Sequence, residues 1–185
     1  MKLKELVQDR MIDLYEVFST TSDIDWKKPN QFSDRGTFVL NGVEYIIRID
    51  CISYQEYNFL ELGFTADLGD GHSFNRTNIV KDAFRVLGIV QHAAIEKLDE
   101  YDQSYKLDGV IFGVIFSNDK DVESALDRYR SYERMATMVA KRFKFSIKGD
   151  IKLPGDKGIY ILLVKGKIPQ DIQDKIQDIS IKKNT

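Results

Sequence analysis

Apolar residues near the start of the chain recur at three- and four-residue steps: Leu3, Leu6, Val7, Met11, Leu14, Val17 and Phe18. That period lines one side of a helix and predicts an amphipathic helix over 2–18, ended by the polar run Ser19-Thr20-Thr21-Ser22-Asp23. From Ile24 to Ser33 no period persists, so the segment reads as irregular, with Trp26 and Phe32 pinning it to the body. The pattern then becomes short apolar runs about a turn signal. Residues 37–40 and 43–49 flank Asn41-Gly42, a pair that tolerates the positive φ angles of a type I′ turn, and together they predict a β-hairpin. A third strand over 59–66 follows the polar turn Gln55-Glu56-Tyr57-Asn58 and ends in a turn-rich loop from Asp67 to Ser73.

The second half is more regular. Val80, Ala83, Phe84, Leu87, Val90, Ala94 and Leu98 form one stripe, predicting a long helix over 78–101 that Thr77 or Asn78 caps. Residues 110–116 are apolar on both faces, as in a central strand covered on both sides, so strand, helix and buried strand make a βαβ unit of right-handed crossover. A second long helix over 121–142 carries Val122, Ala125, Tyr129, Tyr132, Ala136 and Val139 on its stripe, with acids at its start and bases at its end, as the helix dipole favours. Strands over 143–151 and 159–164 flank the turn 154–158. A short polar helix after Pro169, with Ile172, Ile176 and Ile179 on one side, closes the chain.

Composition narrows the chemistry. The 185 residues are 43% hydrophobic and 30% charged, which suits one ordered domain and excludes disorder. One cysteine, Cys51, rules out an intrachain disulfide and a multi-cysteine zinc site, and is read as a buried apolar side chain. A net charge of −2 gives no global attraction to nucleic acid or anionic lipid, and no stretch reaches the ~18 apolar residues of a membrane span. Asp67, Asp70 and His72 match neither a calcium loop nor a helical zinc motif, so no metal site is expected. His92 lies mid-helix with no nucleophile beside it in sequence. Arg128, Arg130 and Arg134 make the second long helix basic and are the sole candidates for a nucleic-acid contact, but Asp127 and Glu133 offset them, and a solvated charged face is the plainer reading.

The order helix, three antiparallel strands, long helix, buried strand, long helix and terminal hairpin, running from Lys2 to about Lys167, resembles the GNAT superfamily of N-acetyltransferases. The helix segment Asp127-Arg128-Tyr129-Arg130-Ser131-Tyr132-Glu133-Arg134-Met135 is its sharpest local point. The resemblance implies an α+β fold, a mixed and mostly antiparallel sheet with helices on both faces. Residues 1–167 form the GNAT-like domain and 168–185 a peripheral C-terminal helix or tail. It also implies acetyl-CoA as the cofactor of an active member, with Tyr132 as the general acid toward the departing thiolate and Asn118 or Asp119 near the acceptor amine. Thr77 before Phe84-Arg85-Val86, the strand ending in Phe116, and Arg128 followed by Tyr132 resemble small tailed-phage proteins of GNAT-like topology. That likeness implies a protein partner, of phage or host, and a place in the host cytoplasm or a virion.

Superfamily members that bind acetyl-CoA carry Q/R-x-x-G-x-G/A before the helix, because glycines let backbone N–H groups reach the pyrophosphate at the helix N-terminus. Here the segment reads Arg76-Thr77-Asn78-Ile79-Val80-Lys81, with Ile79 and Lys81 in the glycine positions, and Gly69 and Gly71 lie upstream. A β-branched side chain at such a contact blocks close approach. Two functions of different class follow. The first is a non-catalytic GNAT-like structural or host-interaction module, which the missing glycines favour. The second is an acyl-CoA-dependent N-acyltransferase whose atypical cofactor loop uses Gly69, Gly71, Arg76, Thr77 and Asn78. Tyr132 also lies on an apolar stripe, where a core role is the commoner one. The two readings separate by geometry: the central strands part beside a cleft if cofactor binds, and are zipped or plugged by aromatic rings if it does not.

Overall fold

The structure is a computed structural model that describes residues 24–67, 83–115, 122–152 and 158–184. The predicted helix over 2–18 and the loop 68–82 lie outside the described residues. In chain order the elements are β1 (Asp25–Asn30), β2 (Ser33–Leu40), β3 (Val43–Tyr54), β4 (Tyr57–Asp67), α1 (Ala83–Tyr105), β5 (Gly109–Ile115), α2 (Val122–Phe143), β6 (Ser146–Lys152), β7 (Gly158–Val164) and α3 (Gln170–Asn184). The strands form one sheet in the order β1-β2-β3-β4-β5-β7-β6. Only β4 and β5 pair in parallel; every other neighbouring pair is antiparallel. The α+β class and the mixed, mostly antiparallel sheet are therefore as expected.

Asn41 and Gly42 carry φ angles of 50° and 80° at the β2–β3 turn, the conformation that the Asn-Gly pair selects. The stretch from Ile24 to Ser33 is not irregular but supplies β1, an edge strand paired to β2 through Asp25↔Thr37, Trp26↔Gly36 and Lys27↔Arg35. Five of its six residues are exposed, so ladder hydrogen bonds rather than an apolar alternation make it a strand. Lysines on such an edge also discourage pairing with another chain. Helix α1 runs one turn beyond its expected end, to Tyr105. There Asp102 receives Lys106 N–H on its carbonyl at 3.0 Å and Leu107 N–H on Oδ1 at 2.9 Å.

Two crossovers, β4-α1-β5 and β5-α2-β6, step the same way across the sheet. Crossovers of one hand that step the same way place both helices on the same face. Accordingly Val90, Ala94 and Leu98 of α1 and Tyr132, Ala136 and Val139 of α2 share one buried cluster with Leu60, Leu62, Val110, Phe112, Ile161 and Leu163. The alternate strand positions Phe59, Ile111, Leu162 and Val164 belong to a second cluster, closed by Ile168, Ile172 and Ile176 at and before α3. Each such isoleucine stabilises the fold by about 1.5–3 kcal/mol through area removed from water.

Candidate functional site at the parting of β4 and β5

The parallel pairing of β4 and β5 lasts four rungs, Phe59↔Gly109, Leu60↔Val110, Glu61↔Ile111 and Leu62↔Phe112. Beyond Leu62, β4 continues against β3 as far as Glu44↔Asp67, and beyond Phe112, β5 continues against β7 as far as Ile115↔Gly158. The strands therefore part in mid-sheet. Their facing edges, 63–67 and 113–115, make no ladder with each other, and backbone N–H and C=O groups in such a gap need other partners.

A glycine stands on each lip. Among the described residues nothing lies within 4 Å of where a Cβ on Gly63 would sit, whereas a Cβ on Gly113 would meet the Tyr160 ring at 2.7 Å. On that face of the sheet no described atom crowds the lip at Gly63, and the lip at Gly113 is covered by a buried aromatic ring. On the opposite face Phe64, two residues past the last rung, stacks on Tyr132 of α2 with centroids 5.3 Å apart and planes 17° from parallel. Tyr132 is 5% exposed. It is at once the stripe residue its spacing suggested and a residue brought to the parting of the strands. The geometry thus combines both outcomes set out above: the strands part, and an aromatic pair floors one side.

Gly69, Gly71, Asp70, His72, Arg76, Thr77, Asn78, Asn118 and Asp119 lie outside the described residues. Arg128 and Arg130 fall on α2 with side chains outside the described set, and Arg134 is exposed on the same helix. Cys51 is a buried thiol in β3, in no disulfide, and His92 is half-buried on α1. Among the described residues no group of three His, Cys, Asp or Glu is placed to hold a metal, and no helix is long and apolar enough to cross a membrane.

Two polar networks escaped the sequence reading. On the α3 face, Ser33 Oγ donates to Asp50 Oδ1 at 2.6 Å, and Arg35 Nη1 reaches the same oxygen at 3.1 Å. Arg48 lies 3.5 Å from Asp50 and 3.8 Å from Glu61, and Ser180 Oγ of α3 donates to Glu61 at 2.7 Å. Asp50 and Glu61 are 4% and 2% exposed, so they are tied into the sheet rather than solvated. Their one sequence signal is a charge in the middle of otherwise apolar strands. On the other face, Lys97 of α1 lies 4.7 Å from the Trp26 ring, 3.5 Å from Asp34 and 2.7 Å from Glu100. Burial alone would lower the Lys97 pKa, but Glu100 and Asp34 outweigh it and leave the ammonium above its usual range. Burial first, and the charge of Asp34 second, push the Tyr101 phenol well above its usual value.

Among solved structures the chain is similar to the N-acetyltransferase PseH of Campylobacter jejuni, at 10% identity over 90% of this chain and 84% of that one, with a TM-score of 0.31. No protein-family model matches the chain, and no curated protein sequence matches it. What the chain can do is read from its own strands and side chains.

Proposed function

We propose that the chain is a GNAT-like protein, its sheet covered by helices on both faces, that takes the thioester arm of an acyl-CoA between β4 and β5 and transfers the acyl group to an amine. The parting of the two strands after Leu62↔Phe112 carries this reading. A pantetheine arm is an extended chain with two amides, so it can meet the strand edges 63–67 and 113–115 much as a further strand would, and no described atom crowds the Cβ position of Gly63 on the lip. The fit is to this arm. For the pyrophosphate, Ile79 and Lys81 depart from the glycine pattern, so its grip would have to come from Gly69, Gly71, Arg76, Thr77 and Asn78.

When bound, the acyl-CoA supplies a thioester: the acceptor nitrogen bonds to its carbonyl carbon, the C–S bond breaks, and the proton the nitrogen loses balances the one the thiolate gains. Tyr132 holds the proton for the thiolate at its phenol oxygen, and its stack on Phe64 fixes the ring beside the gap. Asn118 or Asp119, just beyond β5, stand near the amine. Removing a placed general acid costs about 10²–10⁴-fold in rate, so Tyr132→Phe is expected to lose that much turnover while still binding acetyl-CoA. Unchanged turnover in Tyr132→Phe contradicts the role.

The second reading is a non-catalytic module of the same fold, of phage origin and with a phage or host protein as partner, resident in host cytoplasm or virion. The burial of Tyr132 against Phe64 favours it, since a core tyrosine needs no catalytic duty. Binding of acetyl-CoA separates the two: the first reading requires it and the second does not.

A further inference from the structure

The α3 face of the sheet carries a row of cations that ends at the gap. Lys27 pairs with Arg35, Arg35 with Arg48, and Arg48 with Gly63, the first residue beyond the last β4–β5 rung. Residues directly opposite in antiparallel strands share a face, so these side chains stand abreast on the face away from α1 and α2. Lys27 is the outlier, 74% exposed and matched by Asp25 at 3.8 Å. The two arginines are held differently.

Buried Asp50 takes Arg35 Nη1 at 3.1 Å and faces Arg48 Nε at 3.5 Å, while Glu61 faces Arg48 Nη2 at 3.8 Å. The carboxylates are 6% and 3% exposed at their side chains, yet Arg35 and Arg48 remain 32% and 35% exposed. The acids thus fix both guanidinium groups from below without burying them. A guanidinium is a planar fork of five donors that suits carboxylate and phosphate oxygens, and a fork fixed in advance loses little freedom on binding. Arg48 stands one strand from the open lip at Gly63, and Arg35 two strands, which is about 5 and 10 Å at the usual strand spacing.

We propose that this row selects the acceptor: the amine that enters over Gly63 carries, about 5–10 Å from its nitrogen, a carboxylate or phosphate that Arg48 and Arg35 grip. The inference rests on the acyl-transfer reading and names the acceptor class for the same site. Arg48 and Arg35 are binding residues here and take no part in the bond changes.

The test uses the full chain, acetyl-CoA, and matched primary amines that are neutral, carboxylate-bearing or phosphate-bearing. Initial rates give KM and kcat, and calorimetric titration of each amine gives affinity independently of turnover. The expected result is a KM and a dissociation constant about 10- to 100-fold lower for one anionic series than for the neutral one, the range of a hydrogen bond to a charged group. Whichever series is favoured names the anion. Arg48→Gln abolishes the preference with little change in kcat, Arg48→Lys keeps part of it, and Lys27→Gln keeps all of it. If Arg48→Gln fails to fold, Arg35→Gln and Arg48→Lys make the same comparison within an intact fold. Equal affinity for neutral and anionic amines, or a preference that is undiminished in both folded Arg35→Gln and folded Arg48→Lys, overturns the proposal. Failure to bind acetyl-CoA at all sinks the acyl-transfer reading instead, so the two outcomes are distinguishable.

Discussion

Gly63 and Gly113 face each other across the same gap and are expected to respond oppositely to one methyl group. At Gly113 the added Cβ meets the Tyr160 ring at 2.7 Å, and Tyr160 is itself buried, so Gly113→Ala is expected to cost about 1–3 kcal/mol of stability by overpacking. At Gly63 no atom of the described residues lies within 4 Å of the added Cβ, so Gly63→Ala is expected to leave stability within about 0.5 kcal/mol. Urea unfolding of both variants checks the contrast, and equal destabilisation contradicts the one-sided opening. Neither glycine stood out in the sequence, because a glycine in an apolar strand signals close approach without saying to what. Tyr132 was legible as a stripe residue. Its neighbour Phe64 was not, since the pair is 68 positions apart and only tertiary packing joins them.

At the scale of elements, the long helices were readable because their stripes dominate the pattern, but their ends were less so. Both finish without glycine, at Lys106 and Lys144 with φ angles of 52° and 59°, so the usual stop signal was absent. Strand β1 was missed because its residues face solvent, and it is secured to α1 by the Trp26–Lys97 contact and the Lys28–Glu100 pair. That attachment has a pH signature. Lys97 has its folded pKa raised above 10.5, and Tyr101 is raised above 10.0, so each stabilises the folded state fully below those values. Both contributions are lost as the pH climbs through the folded pKa values. Stability is therefore expected to fall above pH 10.0–10.5, and Tyr101→Phe is expected to fall less steeply; a slope unchanged by that substitution contradicts the assignment. Helix α3 closes the second cluster through Ile172 and Ile176, and its Ser180 bonds to Glu61. Ile176→Ala is expected to cost about 2–5 kcal/mol, measured as a lowered unfolding midpoint.

For the whole molecule, one topological choice accounts for the layout of the candidate site. Two same-handed crossovers place α1 and α2 on one face, and Ile172 and Ile176 of α3 share the second cluster with Phe59 and Ile111. The Gly63 lip, beyond that end, has no described atom within 4 Å of its Cβ position. The order of elements from β2 onward was legible in the sequence and so was the class of fold; the parting of β4 and β5 was not, because pairing between strands about 50 residues apart leaves no local periodicity. The proposed acetyl-CoA site sets the parting of β4 and β5 against the absence of glycine at Ile79 and Lys81. Thermal unfolding of the full chain with and without acetyl-CoA decides between them most directly. At a ligand concentration about 100 times the dissociation constant, binding contributes about 2.7 kcal/mol. For a chain of this length that is a rise in Tm of about 5–10 °C, and it is expected with acetyl-CoA and in smaller degree with pantetheine. An unfolding midpoint that stays fixed at every acetyl-CoA concentration up to millimolar contradicts a thioester site between β4 and β5.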